Sequence, residues 1–292
     1  MKEKAPSRRP SINFFFLTSL AVFLLLLVAF MVVPSVSLII SSLIATGGEG
    51  FSLEQYVRVF TSALYQVSFQ NSLLLSLRAS AAGIAIALVA SYALTRWGGE
   101  NFQRKLLVLV NMTSNFAGVP LAFAFIVMLG NAGVFVILCE KLGLSILDDF
   151  TIYSSQGLFL AYTYFQVPLG VMLLYPIYRG IREDWKEAAR ILGASTAQFW
   201  LRVGVPAILP SVLSTFTILF ANAMGAYATA YQLVSSSYNL VPIRISALIS
   251  GDIRTKPELA SALAVVLALT LILIMMINDW AARLASRKGL KS

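Results

Sequence analysis

Six long apolar runs dominate this sequence, and they restrict the chain to a membrane-spanning helical fold. Each run is about 20–30 residues long, enough to cross roughly 30 Å of hydrocarbon at about 1.5 Å per residue. Charged residues make up only 12% of the chain, whereas soluble domains average about 25%. The predicted fold class is therefore an all-α membrane protein with six transmembrane helices in one domain over residues 1–292. The predicted spans are about 14–43, 68–95, 106–129, 155–178, 206–233 and 259–284.

The basic residues predict the orientation of these spans. With the N-terminus in the cytoplasm, sixteen Lys and Arg residues fall in cytoplasmic segments and five in outer segments, while Arg78 falls within span 2. Because short cytoplasmic loops carry an excess of Lys and Arg, both termini are predicted to be cytoplasmic. Lys2, Lys4, Arg8 and Arg9 precede an apolar run of roughly 30 residues. That run is too long for the core of a signal peptide, so we expect it to remain as the first span.

Composition argues against several other classes of protein. The net charge of +9 comes mainly from residues at span ends, which indicates membrane anchoring and not a nucleic-acid-binding surface. The single cysteine, Cys139, cannot form an intrachain disulfide, and the sequence has no histidine, the commonest metal ligand. It also lacks a GxxxxGK[S/T] phosphate loop and a nucleophile–base or metal-ligand constellation. We therefore expect a non-catalytic chain that holds no cofactor of its own.

The segment 180–205, between spans 4 and 5, is the longest block that mixes charged and helix-forming residues. Gly180 is typical of a helix C-terminus, and Asp184 with Glu187 resembles a capping box that starts a new helix. Ser195 with Gln198 is a second capping signal, so a second short helix is predicted there. The segment is therefore predicted to form a helix–turn–helix between two membrane spans.

Two interpretations of this helix–turn–helix are open from the residues alone. Its small residues Ala188, Ala189 and Gly193 would let another protein approach closely. Alternatively, the segment is an amphipathic loop that rests on lipid headgroups. In either case Pro206 suits the first turn of the following helix, where its missing N–H group has no partner to lose.

The spacing within this segment resembles a known family motif. The run Glu187–Ala189, three residues, Gly193, nine residues and then Val203-Gly-Val-Pro206 is similar to the EAA loop of ABC-importer permeases. The family pattern is EAA-x3-G-x9-I-x-L-P, and here Val203 and Val205 replace its Ile and Leu, both conservatively. The resemblance extends over about residues 68–284 and is most specific at 184–210.

This resemblance implies a bacterial plasma-membrane importer permease of the type I fold. It implies as partners two ATPase subunits that carry ATP and magnesium, a second homologous permease chain and an extracytoplasmic solute-binding protein. An ion-coupled carrier that works without ATP is the alternative, but the sequence lacks histidine and places no acidic residue deep in a span, which argues against proton coupling. The residues that would contact the cytoplasmic ATPase are Asp184, Glu187, Ala188, Ala189, Gly193 and Pro206.

The resemblance is closest to permeases for polyamines, ferric iron, thiamine and phosphonates. A polyamine such as spermidine or putrescine is the first expectation for the solute. The absence of acidic residues deep in the spans weakens that expectation, whereas Arg78 favours an anion such as a phosphonate.

Polar residues within the spans are the candidates for a solute pathway, because they are costly in lipid and are expected to face a bundle interior or water. Arg78 either attracts an anionic solute or extends to the outer headgroups or to a partner subunit. Span 3 is expected to kink at Pro120 and either lines a gate or packs through small residues. The tyrosines are alternatively interfacial aromatics. The candidate pathway residues are Arg78, Asn111, Ser114, Asn115, Tyr162, Gln166, Asn222, Gly225 and Tyr227.

Four smaller expectations complete this set. Asn222, Gly225 and Thr229 are spaced to share one helix face. Asp148 and Asp149 form either a solvated rim or a docking point for a solute-binding protein. A short helix is predicted at 133–142, and Asp279 is predicted to pair with Arg283 four residues later.

Overall fold

The computed structural model describes residues 14–48, 50–147, 149–235, 237–251 and 255–289. Within these ranges all regular structure is helical, apart from one isolated bridge between Ile44 and Phe51. The helices are α1 (Phe14–Leu27), α2 (Val33–Ser42), α3 (Glu54–Thr61), α4 (Ala63–Arg96), α5 (Glu100–Ser114), α6 (Val119–Leu129), α7 (Val134–Lys141), α8 (Ser155–Arg179), α9 (Glu183–Ile191), α10 (Thr196–Phe199), α11 (Val205–Gly225), α12 (Ala228–Val234), α13 (Val241–Ser250) and α14 (Pro257–Gly289). Single π turns at Val28–Val32 and Trp200–Gly204 join α1 to α2 and α10 to α11.

Six helical stretches of the described chain are long and apolar enough to cross a membrane, which confirms the predicted all-α class with six transmembrane helices. By length and hydropathy these stretches are Leu17–Ser42, Ala63–Arg96, Val119–Lys141, Ser155–Arg179, Thr196–Gly225 and Pro257–Leu284. The short helix expected at 133–142 is α7.

The predicted third span, 106–129, is not one helix but two. Helix α5 ends at Ser114, and α6 begins at Val119 after a four-residue break. Gly118 adopts a φ of +73° in this break, and proline occupies the first turn of α6. A positive φ cannot continue a right-handed helix, so the polar stretch interrupts the span instead of only bending it.

Contacts at both ends of α8 show that α5 and α6 together run antiparallel to it. The Tyr175 hydroxyl, near the end of α8, donates to Gln103 Oε1 in the first turn of α5 at 3.0 Å. Beyond the end of α6, a Cβ placed on Gly130 would lie 3.3 Å from the hydroxyl of Tyr153, which precedes α8. Hydropathy alone combines α6 with α7, whereas this packing makes α5 and α6 the two halves of the third crossing.

The centre of the bundle is the long contact between α4 and α8. Many of the α4 residues buried at this contact are small, and serine recurs along the buried side of α4 at Ser68, Ser72, Ser76, Ser80 and Ser91. A Cβ on Gly83 would lie only 2.6 Å from Gln166 Cβ. Within lipid such small residues let two helices approach closely and gain dispersion contacts.

Helix α14 packs against α11, α2 and α13 on another side of the bundle. The amide of Asn278 donates to the Leu213 carbonyl oxygen at 2.6 Å and to the hydroxyl of Thr217, which joins α14 to α11. The predicted pair of Arg283 and Asp279 is present, at 2.6 Å. By contrast, α1 from Leu17 onward is exposed along its whole length in the single chain.

Candidate functional site

The segment between α8 and α11 folds as the predicted helix–turn–helix. Helix α8 stops at Arg179 with Gly180 as its C-cap, as expected, and α9 and α10 follow. The capping box at the start of α10 is confirmed: the Gln198 N–H donates to Ser195 Oγ at 3.2 Å, and the Ser195 N–H donates to Gln198 Oε1 at 2.8 Å. Pro206 lies in the first turn of α11, also as expected.

The capping box expected from Asp184 and Glu187 is wrong. The N-cap of α9 is Arg182, and it makes no side-chain cap. Asp184 lies inside the first turn and accepts a hydrogen bond from the Arg182 guanidinium at 2.5 Å. Both acidic residues at the start of α9, Glu183 and Asp184, favour helix formation there through the helix dipole instead of through a cap.

Ion pairs and aromatic rings attach this segment to the ends of α4 and α8. Glu183 accepts from Lys186 Nζ at 2.6 Å and lies 3.9 Å from Arg96 at the end of α4. The hydrogen bond from Lys186 holds the pKa of Glu183 below its ordinary value of 4.5. Burial opposes this, and the charges of Lys186, Arg96 and Arg190 lower that pKa further.

The Trp200 ring packs 5.3 Å from Tyr92 of α4 and 6.2 Å from Tyr178 of α8, measured between ring centroids. Phe199 packs on Trp200 at 5.8 Å and belongs to a buried cluster with Ile181 and Ile208. The helix–turn–helix thus packs against three membrane helices, α4, α8 and α11, and would move with them.

One face of the segment points away from the bundle, and we call it the coupling surface: Glu187, Ala188, Ile191, Leu192 and Gly193. All five residues are exposed, and Ile191 and Leu192 keep 86% and 85% of their surface accessible. In the described part of the chain Glu187 makes no ion pair or side-chain hydrogen bond. Large apolar side chains this exposed, beside an unpaired carboxylate, are typical of a surface that another protein or the membrane surface covers, so both interpretations of the segment stay open.

The two alanines of the motif have different surroundings. Ala188 lies on the coupling surface, while Ala189 is half-buried against the cluster of Ile181, Phe199 and Ile208. Gly193 has a φ of +77° with open space where a Cβ would be. Its backbone conformation, not a close approach within this chain, therefore requires glycine. The sequence analysis did not single out the exposed Ile191 and Leu192, although two large apolar residues directly before a turn were the available signal.

A second site lies where two broken membrane helices meet. The α5–α6 break contacts the break between α11 and α12, since the Thr229 hydroxyl donates to the Gly118 carbonyl oxygen at 3.2 Å. The Tyr162 hydroxyl of α8 donates to the Ala226 carbonyl oxygen in the second break at 2.6 Å. Non-helical backbone at membrane depth is tolerated only where protein buries it or water reaches it. Discontinuous helices are accordingly a feature of solute sites in transporters.

Some of the predicted pathway residues lie at these breaks, and others are buried within the bundle. The Asn111 carbonyl accepts from Ser114 Oγ at 2.8 Å and from Asn115 Nδ2 at 2.9 Å, so these three residues close the end of α5. Tyr162 and Gln166 are buried in the bundle, and the Gln166 amide donates to the Leu219 carbonyl oxygen at 2.6 Å. These two side chains join helices and do not face an open path, and the interfacial placement considered for Tyr162 is wrong.

The shared face expected for Asn222, Gly225 and Thr229 is also wrong. Because α11 ends at Gly225, Thr229 belongs to another helix and is buried, whereas Asn222 and Gly225 are exposed. Tyr227, in the break itself, accepts a hydrogen bond from Ser246 Oγ of α13 at 2.9 Å.

The remaining candidates lie elsewhere. Arg78 lines a separate cavity near the start of α8. Asp149 is exposed, and Asp148 lies outside the described residues.

Comparison with known proteins gives this geometry its context. The family model described as "Binding-protein-dependent transport system inner membrane component" matches residues 83–288. A probable sulfate transport system permease protein from Prototheca wickerhamii is 31% identical over 129 residues, and the match spans 44% of this chain and half the length of that relative. The molybdenum transport system permease protein ModB of Mycobacterium tuberculosis is 27% identical over 74% of this chain and 81% of its own.

Longer but weaker similarities cover nearly the whole chain. The spermidine/putrescine transport system permease protein PotC of Escherichia coli K12 is 21% identical, over 86% of this chain and 89% of its own. A crystal structure of a bacterial ABC transporter involved in alginate import contains a chain that matches with a TM-score of 0.73 at 14% identity, covering 93% of this chain and 96% of that one. The fold is therefore shared with ABC-transporter membrane subunits. Since the family model spans well over half of the sequence, the chain belongs to the family of inner-membrane permease components of binding-protein-dependent transport systems.

Proposed function

We propose that this chain is the permease subunit of a bacterial ABC importer, and that its coupling surface docks on a cytoplasmic ATPase. The observation that carries the proposal is the exposed apolar tip of Ile191 and Leu192 on a segment mounted on α4, α8 and α11. A force applied to that tip passes directly into the membrane helices because the aromatic and ion-pair contacts join them. ATP and magnesium would be held by the partner ATPase, not by this chain.

The proposed mechanism is alternating access. A solute-binding protein delivers solute outside, closure of two ATPase subunits moves the coupling surfaces of two permease chains, and the spans change between outward-open and inward-open states. The joined breaks near Gly118 and Ala226 are the proposed gate, because they are the points within these spans where the regular helical hydrogen bonding is interrupted. This mechanism requires the coupling surface, and both chain termini, to be cytoplasmic.

Side-selective cysteine labelling tests the orientation. In a Cys139→Ser background, Leu192→Cys on the coupling surface is compared with Leu142→Cys, which is 63% exposed after α7. A membrane-impermeant maleimide should label Leu192→Cys only in inverted vesicles and Leu142→Cys only in right-side-out vesicles. Labelling of Leu192→Cys from outside would exclude an intracellular ATPase contact.

For the solute, we propose an oxyanion such as sulfate or molybdate ahead of a polyamine. In the described chain the acidic residues of the apolar spanning stretches are Glu140, Glu258 and Asp279, each within about two turns of the end of its stretch. A polycation would therefore find no carboxylate in the middle of such a stretch. A polyamine remains an alternative because one relative is named for spermidine and putrescine transport. Uptake of labelled sulfate, molybdate and spermidine by cells that express the whole transport system distinguishes these solutes. Uptake of spermidine alone would refute the oxyanion assignment.

A further inference from the structure

A cavity of about 540 Å³ lies between α4 and the first turn of α8. It is at the opposite end of α8 from the coupling surface, and its size falls within the range of about 300–1,000 Å³ typical of small-molecule sites. Its polar lining comes from Arg78 of α4, Ser155 and Gln156 of α8, and Tyr238 of the loop after α12. The other described lining residues are leucine, alanine and phenylalanine, so Arg78 is the charged group among them.

Arg78 makes no ion pair and no side-chain hydrogen bond with the rest of the described chain. Some other arginines are partnered: Arg58 binds Glu54 at 2.6 Å, and Arg96 lies over the ring of Tyr92, 5.5 Å from its centroid. A guanidinium offers five donors, no acceptor and a permanent charge. Arg78 is exposed in the single chain and lies in the middle of a spanning helix, where an unpaired charge is costly. Among the described residues no carboxylate lines the cavity.

The groups around Arg78 also suit an anion. Ser155 and Gln156 are the first residues of α8, where backbone N–H groups lack helical partners and the helix dipole favours negative charge. Tyr238 is half-buried, and burial raises the pKa of its phenol while Arg78 opposes that rise. The phenol therefore stays protonated near neutral pH and is available as a donor.

We propose that this cavity binds an oxyanion, held by the two-pronged guanidinium of Arg78 with Gln156 and Tyr238 as further donors. Two sources carry this chemistry: a free tetrahedral anion such as sulfate or molybdate, or the phosphate of an anionic phospholipid headgroup. The free-anion source rests on the proposed import of an oxyanion, whereas the headgroup source does not. Neither source requires ATP or the coupling surface, so binding is measurable apart from transport.

The test uses the purified full-length chain in lipid nanodiscs and follows its thermal unfolding. Sodium sulfate and sodium molybdate are titrated against sodium chloride at matched ionic strength, in nanodiscs of phosphatidylcholine. A second arm replaces part of the phosphatidylcholine by phosphatidylglycerol without added oxyanion. The variant is Arg78→Gln, and the matched control is Arg58→Gln, which removes a half-buried arginine that already has a partner.

The expected result is stabilisation of the wild-type chain in one arm, with the apparent affinity for the anion at least about ten-fold weaker in Arg78→Gln and unchanged in Arg58→Gln. A response to sulfate or molybdate identifies a free anion, and a response to phosphatidylglycerol alone identifies a headgroup. Tyr238→Phe should weaken the same response by a smaller factor, which tests the site in a folded chain even if Arg78→Gln folds poorly. The proposal is overturned if neither arm stabilises the wild type, or if Arg78→Gln responds fully. It is also overturned if Arg78→Gln acts by dissociating paired permease chains.

If oxyanion uptake fails while Arg78-dependent binding is retained, the import assignment is wrong and the site still stands. If uptake proceeds with no Arg78-dependent binding, the site is wrong and the import assignment stands.

Discussion

Replacing Leu192 by alanine is expected to weaken association with the ATPase by about 30-fold while leaving the permease itself as stable as before. Leu192 is 85% exposed in the single chain, so its side chain contributes little to folding. Burying a leucine against a partner is worth about 1.5–3 kcal/mol, and truncation to alanine removes most of that, about 2 kcal/mol. Changes of exposed residues away from special features alter folding by only about 0.5 kcal/mol.

The assay is titration of the ATPase subunit onto the permease in nanodiscs, combined with solute-stimulated ATP hydrolysis. Leu142→Ala is the matched control, because Leu142 is also exposed, at 63%, but follows α7, far from the coupling surface along the chain. Wild type and Leu142→Ala should bind the ATPase equally, and thermal unfolding of all three chains should coincide. Unchanged ATPase affinity in Leu192→Ala would refute the docking role of the exposed tip. An equal loss in Leu142→Ala would show that the effect is not local.

Three further outcomes are expected. Gly83→Val should lower the free energy of unfolding by about 1–3 kcal/mol in chemical denaturation, because even a Cβ there would lie 2.6 Å from a side chain of α8. Gly225→Val is the control and should lower it less, because a Cβ at Gly225 would meet open space. Because the folded pKa of Glu183 is depressed, its ion pair with Lys186 should be intact above about pH 4.5 and lost as pH falls through the lowered pKa. NMR titration of the carboxylate should give a lower pKa in the wild type than in Lys186→Met. Thr229→Val should remove the hydrogen bond between the two helix breaks. The free energy of unfolding should fall by about 1 kcal/mol or less, whereas the transport rate should change clearly. An unaltered uptake rate would count against a gate at this contact.

Much of the fold was predictable because lipid permits few solutions. A spanning segment must satisfy its backbone groups internally, so long apolar runs specify helices, and the run lengths locate them. The capping box at Ser195 and Gln198 was equally readable, since it depends on residues three apart and on nothing distant. The box expected at Asp184 failed because the same residue types also suit the first helical turn, and the ion pair with Arg182 favoured that placement.

The candidate site was predictable only in part. The spacing of the motif located the helix–turn–helix, but it did not distinguish exposed Ala188 from half-buried Ala189. Which alanine faces outward depends on how the cluster around Phe199 packs, which involves residues from three separate helices. The pathway candidates show the same limit, since Gln166 is polar for a structural reason: its amide joins α8 to α11.

By itself, the order of residues determined the class, the number of membrane helices and the place of the helix–turn–helix between spans 4 and 5. Each of these follows from apolar run length or from neighbours within a few positions. Only the tertiary structure decided that spans 3 and 5 are broken and that their breaks meet, because the hydrogen bond from Thr229 to Gly118 links residues far apart in sequence. Among the residues that the structure describes, it likewise left Arg78 without a partner, since pairing depends on which charges the folded bundle brings near and not on which charges the chain contains.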